Sequence, residues 1–297
     1  MKNFLSFISG MLSLFYIAIN TIIWTIIALT PIILIKLLLP FKPINNILGK
    51  VATGIGNCWV FWNNFGMVIS KKIDVVIEGD AHFDPNLWYL VICNHQSWVD
   101  IPLLQRVLYK KVPFIKFFLK KQLFWVPVLG TAWWALDFPF MKRYSLDQIR
   151  KNPNLKTKDK ETTRKACEKF KQRPVSIMTF VEGTRFRPEK KQKISSPYNH
   201  LMRPKAAAIG LIMTNMQDTL NSIINVSICY PEGSQEIWPF LCGKLKKVVI
   251  KIEKIDIDEN LKGDYYNDPV YKKNLQRWIN QTWAEKDAFM EKHTIQK

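Results

Sequence analysis

The sequence is poor in acidic residues and in cysteine. It has 24 Asp and Glu residues against 43 Lys and Arg residues, a formal net charge of +19 over 297 residues. The five cysteines are an odd number without a C-x-x-C pair, so neither a disulfide framework nor a zinc site is expected. We interpret them as buried structural thiols in a reducing compartment. The basic excess favours an anionic partner, such as a phospholipid surface, a phosphorylated substrate or nucleic acid.

Charge is also missing from one long stretch near the N-terminus. No charged residue occurs between Asn3 and Ile35, and this apolar run exceeds the roughly 20 residues that span a bilayer. A cleaved secretory signal is the alternative, but the run is too long and no A-x-A-like site follows it. We therefore expect a retained membrane anchor, formed either by one span or by two helices broken near Asn20 or Pro31.

Lysines are distributed unevenly around this run. Only Lys2 precedes it, whereas five lysines between Lys36 and Lys72 follow it. By the positive-inside rule, the remainder of the chain should face the cytoplasm, with a bacterial inner membrane as the expected location. We divide the chain into an anchor with an interfacial helix, residues 1–69, and a globular domain, residues 70–297.

The globular domain alternates between strand and helix patterns. Strands are predicted at KIDVVIEG, LWYLVICN, FPFM, VSIMTFVE, IINVSICY and KKVVIKIEKI. Helices are predicted near residues 97–108, 158–172, 204–216 and 270–292. This alternation predicts an α/β fold with a largely parallel sheet flanked by helices, in which ligands bind at the carboxyl ends of the strands.

Residues 114–143 mix basic side chains with nine Phe and Trp residues. Such a mixture suits the headgroup boundary of a membrane. A buried core with snorkelling lysines is the alternative. Single-stranded nucleic acid could be bound by the same residue types, but the N-terminal anchor argues against nucleic acid as a partner.

The motif NHQSWVD places His95 and Asp100 directly after a predicted strand. On a continuous helix, residues five apart point about 140° away from each other. If the chain turns between them and Ser97 caps a helix, the Asp100 carboxylate can reach back to the imidazole. Asp100 would then orient His95, and the second ring nitrogen could remove a proton from a substrate hydroxyl.

Three further polar clusters follow predicted strands. FPFMKR ends in Lys142 and Arg143, which could hold a phosphate. FVEGTRF places Glu182 and Arg185 on either side of a Gly-Thr turn, where they could pair or bind a polar substrate. In SICYPEG, Pro231 can stiffen a loop over the site.

In this order, the motifs from about Glu78 to Gly233 resemble the four blocks of the glycerolipid acyltransferase family, which includes the 1-acylglycerol-3-phosphate acyltransferases. The resemblance implies that His95 is the general base and Asp100 its orienting partner. It implies that Arg143, with help from Lys142, contacts a glycerol phosphate.

The resemblance also assigns the remaining motif residues. Gly183 and Arg185 would bind the acyl acceptor, Glu182 would align or polarise it, and Pro231 would shape the acyl-donor side. Asn94 and Thr184 lie inside the same motifs and are expected to contact substrate.

One block departs from the family pattern. Met141 and Lys142 precede Arg143 where many lysophosphatidate acyltransferases have a FIDR-like stretch. With NHQSWVDI and QLFWVPVLG, this departure places the chain closer to the branch of YihG-like and lysocardiolipin acyltransferases. Lysophosphatidate is the leading acceptor, and lysophosphatidylglycerol or lysocardiolipin is the alternative.

The reaction that the resemblance implies is acyl transfer from acyl-CoA or acyl carrier protein to a lysophospholipid, without a metal or another cofactor. A hydrolase that activates water is a rival, although no G-x-S-x-G motif supports it. A more distant alternative is a basic protein that binds membranes as an adaptor without catalysis.

Overall fold

A computed structural model describes residues 2–39, 41–70, 73–79, 81–142, 150–151, 154–234 and 236–295. Its N-terminal helices are α1 (Lys2–Ile22), α2 (Thr30–Leu38) and α3 (Lys42–Ser70). The strands are β1 (Asp74–Glu78), β2 (Tyr89–Cys93), β3 (Ile115–Phe117), β4 (Leu119–Lys120), β5 (Phe140–Met141), β6 (Ser176–Phe180), β7 (Ser222–Cys229) and β8 (Lys247–Asp256). The remaining helices are α4 (Asp100–Leu108), α5 (Leu129–Ala135), α6 (Asn154–Lys171), α7 (Pro188–Lys193), α8 (Ala207–Met216), α9 (Ile237–Leu241) and α10 (Pro269–His293).

The N-terminal helices form an antiparallel hairpin. A π-helical segment, Ile23–Leu29, joins α1 to α2, so the helix continues through Asn20 and Pro31, the two positions considered for a break. Asn20 of α1 does not interrupt the helix, because its side-chain amide donates a 2.8 Å hydrogen bond to the Asn63 side chain of α3. The stretch Asn3–Leu38 has a mean hydropathy of 2.2 and is long and apolar enough to cross a membrane.

Six strands form the main sheet in the order β1-β8-β7-β2-β6-β3. All neighbouring strands are parallel except β7 and β8, which confirms the largely parallel sheet. FPFM does not join this sheet as the pattern suggests, because β5 pairs with β4 in a separate two-stranded sheet. The sequence pattern also missed β3 and β4, which are only 3 and 2 residues long.

The main sheet is covered on both faces. Successive side chains of β2 point to opposite faces of the sheet. On one face, Leu90 and Ile92 pack with α6, α8 and α10. On the other face, Tyr89, Val91 and Cys93 pack with α4 and α9. Because both faces are apolar, the whole strand reads as one hydrophobic run.

Residues 114–142 connect the domain to the N-terminal hairpin. Phe138 is buried against Leu29 and Ala52 of the hairpin. Trp125, in the same segment, is 79% exposed. Part of this aromatic segment is therefore buried core, and contact of its exposed part with a membrane stays a prediction.

Candidate active site

The loops after β2, β6 and β7 meet at one edge of the sheet. Cys93, the last residue of β2, is in register with Phe180, the last residue of β6. The loop that carries His95 therefore begins beside the loop that carries Glu182. On the other side of β2, β7 extends towards the same edge and ends at Cys229.

His95 and Asp100 form a direct contact across a tight turn. The His95 Nδ1 atom lies 2.8 Å from the Asp100 Oδ2 atom. Helix α4 begins at Asp100, three residues later than predicted, and Ser97 lies in the turn before it, where its Oγ accepts from the Val99 amide at 3.1 Å. The turn thus brings together two residues that a continuous helix would separate.

Asp100 is completely buried, and its carboxylate accepts four hydrogen bonds. Besides the His95 ring, the backbone amides of Gln96 and Ser97 donate to Oδ2 at 2.7 and 3.0 Å. The Tyr230 hydroxyl donates to Oδ1 at 2.6 Å. Because Oδ2 accepts from both amides, it also acts as the acceptor towards the ring, which holds His95 with Nδ1 protonated.

Tyr230 is the site residue that sequence reasoning missed. It precedes Pro231 in SICYPEG, and its side chain is only 4% exposed. Burial raises its pKa well above 10, and the negative charge of Asp100 raises it further. Tyr230 therefore remains a protonated hydrogen-bond donor. A buried Tyr at a strand end beside a predicted site is the signal that would have found it.

The second nitrogen of His95 is available for chemistry. No described residue makes a hydrogen bond to Nε2, and the side chain is 12% exposed. The imidazole stacks on Phe180 with ring centroids 3.8 Å apart. The Phe186 amide donates to the His95 carbonyl oxygen at 2.7 Å. These contacts orient the ring and join the His95 loop to the EGTR loop.

Glu182 lies inside the protein, beneath these loops. It is 1% exposed, and Oε1 accepts from the Trp283 indole at 3.3 Å. Burial raises its pKa well above the usual value, and the charge of Asp100 adds to this effect. The backbone amides of His95 and Met202 act in the opposite direction, yet Oε2 has no well-aligned partner among the described residues.

The Gly-Thr-Arg turn that follows Glu182 is more exposed and basic. Gly183 has a φ of +70°, a conformation that suits glycine. Lys190 donates a 2.8 Å hydrogen bond to the Thr184 hydroxyl. The Arg185 guanidinium lies 4.5 Å from the centre of the Trp98 ring and 3.4 Å from a Glu236 carboxylate oxygen. Arg185 thus connects the EGTR and NHQSWVD motifs at the surface.

Two predicted contact residues are placed beside the site rather than facing it. Asn94 is fully buried, and its side-chain amide exchanges hydrogen bonds of 2.8 and 2.9 Å with the backbone of Ile228 in β7. Pro231 is buried, and its carbonyl accepts from Ile295 at 3.0 Å. These contacts hold the strand ends in position, so direct substrate contact by either residue stays a prediction.

Lys142 lies just beyond β5 and is exposed. Arg143, which is predicted to bind a phosphate, lies outside the described residues. The structure therefore brings together His95, Asp100, Glu182, Gly183, Thr184 and Arg185, with Asn94 and Pro231 supporting them.

Lys286 of α10 is a second buried group near this edge. It is 1% exposed and donates to the Val226 carbonyl at 2.6 Å and to the Ser227 hydroxyl at 3.1 Å. Burial lowers its pKa to about 8. The Glu253 carboxylate lies near enough for its charge to oppose this effect. Lys286 thus connects the C-terminal helix to β7 behind the site.

The chain is similar to known proteins. A model of the family described as Acyltransferase matches residues 74–230, more than half of the chain. The chain belongs to the acyltransferase family. The family predicted from the motifs is thereby confirmed.

Two individual proteins are similar to this acyltransferase. The 2-acyl-1-lysophosphatidylinositol acyltransferase of Saccharomyces cerevisiae is 24% identical over 242 residues, which cover 69% of this chain and 61% of the yeast protein. The crystal structure of the 1-acyl-sn-glycerophosphate acyltransferase PlsC from Thermotoga maritima matches with a TM-score of 0.50 and 20% identity. It covers 96% of this chain and 98% of that one. The PlsC match shows a shared fold.

Replacing Tyr230 by Phe tests whether its hydroxyl tunes the His–Asp pair. Loss of one hydrogen bond to a charged group should lower kcat/KM about tenfold, since three donors to Asp100 remain. The measurement is kcat/KM for acyl transfer, with Tm as the check on folding.

Tyr198→Phe is the matched control, because it removes a buried hydroxyl that donates to the Asn280 carbonyl, on α10. If Tyr230 were purely structural, Tyr230→Phe would lower Tm as Tyr198→Phe does and leave kcat/KM of the folded protein unchanged.

Replacing Glu182 by Gln tests the burial of this carboxyl group. A folded-state pKa above the unfolded value stabilises the fold at low pH, and that contribution is lost as pH rises through the folded-state pKa. Gln does not titrate, so the Tm of Glu182→Gln relative to wild type should increase between pH 5 and pH 9. The control is Glu285→Gln on the exposed face of α10. A Tm difference that stays constant with pH would contradict the assignment.

Proposed function

We propose that this protein transfers a fatty acyl group from a thioester, on coenzyme A or acyl carrier protein, to the free glycerol hydroxyl of a lysophospholipid. One observation carries the proposal. His95 is held through Nδ1 by a buried carboxylate with four donors, while Nε2 has no partner among the described residues. This geometry suits a general base that acts on a hydroxyl supplied by the substrate.

In the proposed reaction, His95 Nε2 removes the proton from the acceptor hydroxyl as its oxygen attacks the thioester carbonyl carbon. The tetrahedral intermediate collapses, the C–S bond breaks, and the imidazolium returns the proton to the leaving sulfur. Asp100 stays ionised and stabilises the imidazolium. The products are the new ester and a free thiol, and the chemistry needs no metal or prosthetic group.

The environment of the adjacent thiol argues for direct transfer. Cys93 is fully buried, and burial raises its pKa well above the ordinary value. A thiol that is not ionised is a poor nucleophile. The nearby Ser97 is also buried, at 3% exposed, so its hydroxyl is not open to a substrate. Neither side chain is placed to form an acyl-enzyme. The Ser97 backbone amide could otherwise stabilise the negative oxygen of the tetrahedral intermediate, but it donates its hydrogen bond to Asp100.

The EGTR turn is a suitable place for an anionic acceptor. Arg185 lies there, and the Lys205 ammonium is 3.7 Å from the position that a Cβ atom on Gly183 would take. Lysophosphatidate is the leading acceptor. A lysophospholipid with a larger headgroup is the alternative, favoured by the similarity to the yeast lysophosphatidylinositol enzyme and by Met141 and Lys142 in the second block.

The N-terminal hairpin would hold the enzyme at its lipid substrate. Large apolar side chains of α1, such as Phe4 and Phe15, are about two-thirds exposed, at 67% and 66%. Apolar surface of this extent suits a bilayer. The proposed orientation places the domain on the cytoplasmic side, at the bacterial inner membrane, as the lysines after the apolar run suggest.

His95→Ala tests the catalytic proposal. Loss of a general base should lower kcat by about 10²- to 10⁴-fold, with little change in Tm. Acyl transfer from acyl-CoA and from acyl carrier protein is measured with a panel of lysophosphatidate, lysophosphatidylglycerol, lysophosphatidylinositol and lysocardiolipin. The wild type should esterify at least one of these acceptors, and the panel identifies its headgroup.

His82→Ala is the control, because His82 is exposed and lies outside the motif. Transfer by His95→Ala at the wild-type rate would exclude His95 as the base. If the wild type transfers no acyl group from any donor to any acceptor, yet wild type and His95→Ala bind anionic vesicles equally well, the result would favour a non-catalytic membrane adaptor.

A further inference from the structure

Four charged side chains meet where the N-terminal hairpin joins the domain. The Lys36 ammonium lies 3.4 Å from Asp137 Oδ1, and Arg173 Nη2 lies 3.0 Å from Asp137 Oδ2. Lys116 is close enough for the charges of all three to affect it. We name these four residues the Lys116 cluster. It contains three basic groups and one carboxylate, and Lys169 adds a further positive charge nearby.

Lys116 is buried without a compensating partner. It lies in β3, opposite Ile177 of β6, and is 7% exposed. Within the described residues, no carboxylate oxygen lies within 4.0 Å of its ammonium group. Its closest described charge–ring contact is Phe170, 5.9 Å away. Burial lowers the pKa of Lys116 to about 8, and Asp137 only partly opposes this effect. Burying a cation without a partner is costly.

Arg173 has an unused donor in the same place. Nη1 is buried and has no hydrogen-bond partner among the described residues, although Nη2 is paired with Asp137. The guanidinium lies directly against Gly49 of α3, where any Cβ atom would overlap it. Gly49 thus allows the hairpin to close over Arg173 and confines the guanidinium within the cluster.

The cluster is separate from the acyl-transfer site. Lys116 is in register with the beginning of β6, and Arg173 precedes that strand, whereas His95 lies beyond the opposite end of the sheet. Within β3, Ile115 packs in the core with α4, and Lys116 points to the other face. The side chains of Arg173 and Asp137 are 22% and 26% exposed, so a solute can reach the cluster.

We propose that the Lys116 cluster binds a phosphate group. A phosphate at the exposed side of the cluster can accept from the Lys116 ammonium, the charge of the Arg173 guanidinium adds to its attraction, and it balances the excess of positive charge. The phosphate comes either from a phospholipid headgroup or from a soluble phosphate. Lys36 lies in the last turn of α2, so the cluster adjoins the apolar helix that would lie in the membrane beside the headgroups.

Binding is tested on the detergent-purified full chain with two probes. The first is inorganic phosphate against chloride at matched ionic strength, measured by calorimetry. The second is phosphatidylglycerol against diacylglycerol in mixed micelles, measured as a change in Tm. A ligand that binds the folded state raises Tm. Phosphatidylglycerol should therefore stabilise the wild type more than diacylglycerol, which lacks the phosphate.

Lys116→Met should weaken binding at least tenfold and abolish the lipid-dependent rise in Tm. Met fills the volume of the lysine stem, so the fold should persist and its basal Tm should rise as the buried charge is removed. Lys273→Met, on an exposed position of α10, is the matched control and should bind like the wild type.

Asp137→Asn should change the affinity for phosphate in the opposite direction from Lys116→Met. Removing the one carboxylate of the cluster should tighten phosphate binding several-fold. Asn tolerates the backbone at this position, where φ is +58°. A merely structural ion-pair network would instead lose stability in Asp137→Asn, with no effect of phosphate on either protein.

Calorimetric binding of inorganic phosphate together with a rise in Tm from phosphatidylglycerol supports a site open to soluble phosphate. A rise in Tm from phosphatidylglycerol without binding of inorganic phosphate supports a headgroup site. A wild type that responds to neither probe would overturn the proposal, as would a Lys116→Met variant that responds like the wild type. His95→Ala should bind phosphate normally, so this proposal can fail or succeed independently of the catalytic one.

Discussion

The buried carboxylate of Asp100 determines how the site is assembled. It needs donors because an ionised carboxylate inside a protein is stable only when it is hydrogen-bonded. Those donors come from the His95 ring, from two backbone amides of the same turn, and from Tyr230 at the end of β7. One side chain therefore sets the tautomer of the base, the shape of the loop and the distance between two strand ends.

Much of this edge was predictable from the sequence, because its determinants are local. Apolar runs that end in polar residues predicted β2, β6 and β7, and parallel strands necessarily bring their carboxyl ends together. On a continuous helix His95 and Asp100 would point apart, so their pairing depended on a turn between them, and the structure shows that turn. The Gly-Thr pair after Glu182 predicted a second turn, and the positive φ of Gly183 agrees with it.

The rest depended on contacts between distant parts of the chain. Tyr230 is 130 residues from Asp100, and a tyrosine in an apolar strand pattern does not reveal its hydrogen-bond partner. Strand β3 was missed because it is short and carries a lysine, Lys116, in its centre. Glu182 was expected to pair with Arg185 or to face the acceptor, and the motif gave no sign that Trp283 of the C-terminal helix would contact it inside the protein. Asn94 likewise reads as a loop residue but is used to join β2 to β7.

The central claim is that ionised Asp100 holds His95 with Nδ1 protonated and Nε2 free to accept a proton. Asp100→Asn tests it most directly, because Asn has nearly the same shape but no charge and can impose the wrong tautomer. The measurement is kcat for acyl transfer, with Tm as the check on folding. The account predicts a fall of about 10²- to 10⁴-fold in a variant that remains folded. A folded Asp100→Asn variant that transfers the acyl group at the wild-type rate would contradict it.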